Sequence, residues 1–172
     1  ALVQLRRVLQ PDGLFLGCLL GGQSLHELRT ALAVAETEIY GGISPRVAPF
    51  PDVRDMGGLL QRAGFALPVA DRETVTVRYA DIFGLMRDLR AMGAANALTA
   101  RLRKPVRKSF FLRAANIYAE RFGDPCGRVR ATFEMIFISG WAPHAIQQKP
   151  LPADSAMTLP AGAHGTKPAS AT

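Results

Sequence analysis

Seven consecutive apolar or small residues, Leu14-Phe15-Leu16-Gly17-Cys18-Leu19-Leu20, stand between a Pro11-Asp12-Gly13 turn and a Gly21-Gly22 pair. The run is far too short to cross a bilayer. It is apolar on both alternating sets, so it reads as a strand covered on both faces, as in the middle of a parallel sheet. Such a strand needs helices above and below it, and the fold class is therefore expected to be α/β.

The flanking segments supply those helices. Leu2, Leu5, Val8 and Leu9 are spaced for one helix face, with Arg6 and Arg7 opposite. After the Gly-Gly pair, Ser24 and Glu27 have the spacing of a capping box, opening a helix that Gly41-Gly42 stops. A proline-rich loop (Pro45, Pro49, Pro51) leads to Asp52, a second cap, and a helix that ends at Gly64. Phe65 to Val69 predicts a short extended piece. Glu73 to Tyr79 alternates, with Val75, Val77 and Tyr79 on one face, and predicts a half-exposed strand. Asp81 caps a helix carrying Ile82, Leu85 and Leu89. A further helix from about Ser109 turns Phe111, Ala114, Ala115, Tyr118 and Phe122 inward. Val129 to Ser139 is a second strongly β segment, apolar on both faces except for Glu134. Beyond about Gln148 the composition shifts to Pro, Ala, Gly, Ser and Thr, which predicts a disordered tail over 149–172 behind a domain spanning 1–148. The opening at Ala1, inside a helix pattern, reads as the cut end of something longer.

The 172 residues carry a formal net charge of +7, which favours acidic partners. Arg101, Arg103, Lys104, Arg107 and Lys108 lie in one run without an acid. That run is either a solvated connector or a patch that docks an acidic client protein. With no aromatic interleaved before Phe110, nucleic acid is disfavoured. Cys18 and Cys126 are 108 positions apart with no metal-type spacing. They read as buried or incidental thiols in a reducing, cytoplasmic compartment. His26, His144 and His164 are scattered, and no metal site is expected.

Arg6 to Leu16, with its "R-x-L-x-P-x-G" form, resembles a segment of class I methyltransferases that leads into the fifth strand of a seven-stranded sheet. Leu59-Leu60-Gln61-Arg62-Ala63-Gly64-Phe65 is similar to the stretch of that family that enters the sixth strand. Three further segments, 45–50, 85–94 and 139–144, look like the branch related to the biotin-synthesis methyltransferase. That branch includes a complex I assembly factor described as an arginine hydroxylase. The resemblance covers roughly residues 1 to 152. It implies the C-terminal portion of a Rossmann-like sheet of about three strands, the last antiparallel, with a helical insertion over about 81–122. It also implies S-adenosylmethionine as the family's cofactor, and either a small-molecule or a protein acceptor. The family's glycine-rich turn and acidic strand end, which hold that cofactor, have no counterpart in the sequence, so no cofactor is expected on this chain alone.

Methyl transfer asks little of side chains beyond positioning, and no catalytic triad is visible. Gly21, Gly22 and Gln23 follow the carboxyl end of the apolar strand, where α/β sheets bind ligands, and are candidates for the substrate side. Trp141 and His144, just past the last strand, are the others; each has a plain reading as turn or core edge. A strand such as Leu14–Leu20, left without its family neighbour, is also expected to pair with a second copy of the chain or to have that edge covered by a helix.

Overall fold

The computed structural model describes residues 1–102 and 105–144. The expected tail over 149–172, His164, Arg103 and Lys104 lie outside them. In chain order the elements are α1 (Leu2–Val8), β1 (Leu14–Leu20), α2 (His26–Tyr40), α3 (Val53–Arg62), β2 (Ala66–Tyr79), α4 (Ile82–Ala91), α5 (Lys108–Phe122) and β3 (Val129–Trp141). The fold is α/β: an open three-stranded sheet in the order β1-β3-β2, with five helices. β3 runs antiparallel to both neighbours, so β1 and β2 are parallel to each other, and the last strand is the antiparallel one.

Two apolar cores flank the sheet. One gathers α2, α4 and α5 against Val129 and Ala131, with Phe110, Leu85 and Tyr118 fully enclosed. The other packs Met56, Leu60 and Phe65 against Ile136 and Ile138, with Leu2, Leu9, Phe15 and Leu19 closing its margin. Pairing runs from Leu14↔Trp141 to Leu20↔Met135 on one side of β3 and from Ala66↔Trp141 to Tyr79↔Val129 on the other. The β2–β3 ribbon therefore continues past the end of β1, and α2, α4 and α5 build on that extension.

Local signals account for most boundaries. Asp52 accepts the Arg54 N–H at 2.8 Å, and Asp81 accepts the Gly84 N–H at 2.7 Å, so both predicted caps form. α2 ends at Gly41 in the left-handed conformation, which a glycine adopts without Cβ strain.

Five expectations change. β1 is paired on one side only among the described residues, and Leu16 is 70% exposed, so it is an edge rather than a strand covered on both faces. Its apolar character belongs to a surface. Leu5 and Val8 are likewise exposed, while Leu2 and Leu9 pack. The two extended pieces, 65–69 and 73–79, are one strand, because pairing with β3 carries the polar Asp71-Arg72 step through. In α5 Phe110 is enclosed and Phe111 only partly, a shift of one position on the helix face. Ser24 and Glu27 do not cap α2. The helix starts at His26 behind Leu25, which sits at φ 55° with no side-chain cap.

Candidate functional site

Ser24 and Glu27 tie the β1–α2 connection to β3 instead. Ser24 Oγ donates to the Glu134 carbonyl and accepts the Glu134 N–H, both at 3.0 Å. Glu27 is fully buried, and its carboxylate accepts the Thr132 N–H at 3.1 Å and the Thr132 hydroxyl at 2.5 Å. Gly21 N–H donates to the Glu134 carbonyl at 2.8 Å, and Leu25 N–H to that of Thr132 at 2.7 Å. These bonds carry the β3 edge beyond Leu20 and hold Leu25 in its left-handed conformation, a strained one for a residue with a Cβ.

Glu134, 3% exposed, lies directly against this connection. Its Oε2 accepts the Gln23 N–H at 2.9 Å, and Arg72 Nη1 stands 3.4 Å from its Oε1. A Cβ on Gly21 would fall 2.6 Å from that same Oε2. At Gly22 the nearest atoms are the carbonyl oxygens of Phe50 and Pro51, at 3.7 and 3.8 Å. The room that Gly21 leaves is thus taken by the protein's own carboxylate, whereas at Gly22 a Cβ would stand at ordinary contact distance. The neighbouring carboxylates of Glu27 and Glu134 are already engaged by protein donors. Gly21 and these acids do not fit S-adenosylmethionine, whose ribose hydroxyls need a free carboxylate and whose approach needs open backbone.

Beside the loop, at the carboxyl end of β1, a cleft of about 360 Å³ opens between Leu20, Leu25 and Leu28 on one side and the 94–98 segment on the other. Arg46, Val47, Ala48 and Phe50 form a strap along it. Glu36 holds that strap: its carboxylate receives Arg46 Nε at 3.1 Å and Nη2 at 2.8 Å, the Ser44 N–H at 3.0 Å and the Ser44 hydroxyl at 2.7 Å. Burial alone would push the Glu36 carboxyl upward. The hydrogen bonds from Arg46 and Ser44, with the Arg46 charge, outweigh it and keep the group ionised below its ordinary range. The Arg46 guanidinium also lies 4.4 Å from the centre of the Phe110 ring. Asn96 Nδ2 donates to the Pro45 carbonyl at 2.9 Å, linking strap to opposite wall. The cleft is apolar, with Arg46 neutralised by Glu36 and no acid, base or nucleophile among its lining residues. It can orient a ligand and exclude water, but it offers no proton transfer of its own.

Gly21, Gly22 and Gln23 lie at this end of the sheet. Trp141 and His144 do not. Trp141 pairs with Leu14, six strand residues from Leu20, roughly 20 Å away at the usual strand rise. Trp141 is 36% exposed, and Ala142 bonds back to the Pro11-Asp12-Gly13 turn. Segments 45–50 and 85–94, two of the three that carried the narrower resemblance, meet at the cleft; the third, 139–144, is at the opposite end. Arg101 Nη1 donates to the Leu98 carbonyl at 3.0 Å, Arg107 precedes α5, and Lys108 begins it. No group of three metal-ligating side chains occurs among the described residues. Both cysteines are free and exposed, so neither is a buried thiol. No described helix is long and apolar enough to cross a membrane.

Sequence reasoning missed Glu134, Glu36 and Asn96. Glu134 had a legible signal, as the one charge in an otherwise apolar strand. The Glu36–Arg46 pair had none, because its partners meet only after the chain reverses at Gly41-Gly42.

No protein-family model matches the chain. Curated relatives do. It is 42% identical over 156 residues to "Arginine-hydroxylase NDUFAF5, mitochondrial" of Danio rerio, covering 91% of this chain and 48% of the relative. The protein of the same name from Dictyostelium discoideum is 44% identical over 153 residues, 88% of this chain and 35% of its own length. A "Malonyl-[acyl-carrier protein] O-methyltransferase" of Methylovorus sp. is 37% identical over 142 residues, 83% of this chain and 45% of the relative. The chain spans less than half the length of each of these proteins.

Proposed function

We propose, on the premise that this homology places the chain in the methyltransferase-like branch holding arginine hydroxylases and malonyl-[acyl-carrier protein] methyltransferases, that it forms the acceptor side of an S-adenosylmethionine-dependent enzyme. The observation that carries the reading is the apolar cleft at the carboxyl end of β1, strapped by Arg46–Phe50 and floored by Leu20, Leu25 and Leu28, the residues on either side of the Gly21-Gly22-Gln23 loop. A methyl donor is already activated, so a cleft without an acid or base suits a reaction that runs on positioning. The filled space at Gly21 and the engaged carboxylates support a division of labour in which other residues hold the cofactor, leaving this chain inactive by itself. Trp141 and His144, exposed at the far end of the sheet, are left out of this acceptor site.

A second reading, hydroxylation on the same scaffold, is favoured by the relatives: the two hydroxylases above are 42% and 44% identical, the methyltransferase 37%. Those hydroxylases also suggest a protein acceptor rather than a small molecule. The expected cytoplasmic setting stands as a proposal beside the mitochondrial names of these relatives; two free, exposed thiols suit any reducing compartment.

The experiment is a cleft-filling substitution, Val47→Trp, in the longer enzyme, with acceptor mass as the readout. Modification should fall sharply while S-adenosylmethionine still binds. A gain of one methyl group selects the first reading and a gain of one oxygen the second; unchanged modification sinks both. Titration calorimetry of the 172-residue chain with S-adenosylmethionine should show no heat of binding, and micromolar affinity would overturn its proposed inactivity.

A further inference from the structure

A second cleft, on the helices inserted between β2 and β3, has the reverse character: apolar below and cationic around. Phe83, Met86, Arg87 and Arg90 follow one another at helical spacing of three, four and seven, and so form a single stripe two turns long on α4. Opposite them stand Val106, Lys108 and Phe111, and the groove between holds about 470 Å³. Phe83 is 38% exposed, so its ring is available to a partner. Arg87, Arg90 and Lys108 make no ion pair among the described residues, whereas Arg46, Arg72, Arg78 and Arg113 each have a carboxylate partner. The one acid of α4, Asp88, is engaged by Tyr79. Three unpaired cations thus surround an apolar groove that contains no acid of its own.

We propose that this α4–α5 groove docks an acidic amphipathic helix of a partner protein, its apolar stripe on Phe83, Met86 and Phe111 and its carboxylates on Arg87, Arg90 and Lys108. The groove supplies what helix-in-groove recognition needs, anchors repeating along two turns, and the charges supply its sign. A single strand of nucleic acid fits it less well. Phe111 is packed edge-on against Phe110 at 5.2 Å, which leaves Phe83 as the one open ring and no platform for successive bases. The proposal deepens the protein-acceptor reading above and rests on it only in taking the occupant to be a protein. It moves the docking surface from the 101–108 run of basic residues to the groove lined in part by Val106 and Lys108.

The test is fluorescence anisotropy with the purified chain and a labelled synthetic helix bearing Leu on one face and Glu on the flanks. The same helix with Lys for Glu serves as control, beside an oligo-dT strand and vesicles of mixed phosphatidylglycerol and phosphatidylcholine. Saturable binding of the acidic helix is expected, weakening as salt rises. Arg87→Glu with Arg90→Glu should weaken it by at least ~10-fold, as loss of paired interface charges does. Phe83→Ser is an independent test of the apolar half, on an exposed side chain, should the charge-reversed variant fail to fold. No saturable binding, equal binding of the Lys helix, or insensitivity to both variants overturns the proposal. So does binding of the DNA or vesicles through Arg87 and Arg90 in place of the acidic helix. The readout is binding, not acceptor modification, so its failure and that of the Val47→Trp experiment are separable.

Discussion

A Cβ on Gly21 would stand 2.6 Å from Glu134 Oε2 and 2.9 Å from Cδ and Cγ. The carboxylate cannot simply swing away, since Gln23 N–H holds it. Gly21→Ala should therefore cost about 1–3 kcal/mol, the usual range for overpacking. Glu134→Ala removes the obstacle, but it leaves the Gln23 N–H without its acceptor. The two substitutions together should cost clearly less than the sum of each alone, which urea unfolding of the four proteins will measure. Additive costs would show that the two residues do not press on each other. Tyr118 offers a second case. It is fully buried, and its hydroxyl donates to the Arg130 carbonyl at 2.8 Å. Burial, with the nearby Glu27 charge and Tyr79, raises its pKa far above the ordinary value, so it stays a donor. Tyr118→Phe should cost about 1 kcal/mol, the net worth of one such bond, read from the same unfolding curves.

At the scale of elements, the strap over the cleft depends on one carboxylate. Glu36 has a lowered pKa in the folded chain. Its contribution is thus complete above the ordinary glutamate pKa of about 4.3 and is lost as pH falls through the lower folded value. Protection of residues 44–50 from hydrogen exchange should fall on acidification through that window and stay level above it. Glu36→Gln should show weak protection at neutral pH and no such step. The edge strand carries another expectation. Leu14 and Leu16 on β1 are exposed beside Val69 and Phe137, and the outer side of β1 has no partner strand among the described residues. An unpaired apolar edge invites a second copy of the chain. Sedimentation should show concentration-dependent association that Leu16→Lys reduces; a monomer at all concentrations would rule that out.

Over the whole molecule, the two clefts divide the work. One lies at the carboxyl end of β1, is apolar and is pinned by neutralised charges. The other lies on the α4–α5 insertion and shows unpaired cations. α4 and α5 join the two: Leu89 lines the first while its neighbour Arg90 lines the second, and Phe110 touches Arg46 on one side and Phe111 on the other. Arg46 and Phe111 both press on Phe110, so the costs of Arg46→Ala and Phe111→Ala should depart from additivity in the double variant, which urea unfolding will measure.

Much of this was legible in the residues themselves. Asp52, Asp81 and Gly41 act through bonds and backbone preferences that span a few residues, and so they mark helix ends wherever the chain goes. The alternating and doubly apolar runs named the strands, and the family resemblance supplied their number and the antiparallel sense of the last; their order β1-β3-β2 came from the structure. What the sequence left open was settled by distance through space. Ser24 and Glu27 have the spacing of a cap and serve β3 instead, because strand pairing brings Thr132 and Glu134 more than a hundred residues back along the chain. Leu14–Leu20 looks interior from its composition, but burial depends on which strands lie beside it. The Glu36–Arg46 clamp, the two clefts and the separation of Gly21-Gly22 from Trp141 are likewise products of tertiary packing. Local periodicity determines which elements form; only their assembly decides which polar groups meet.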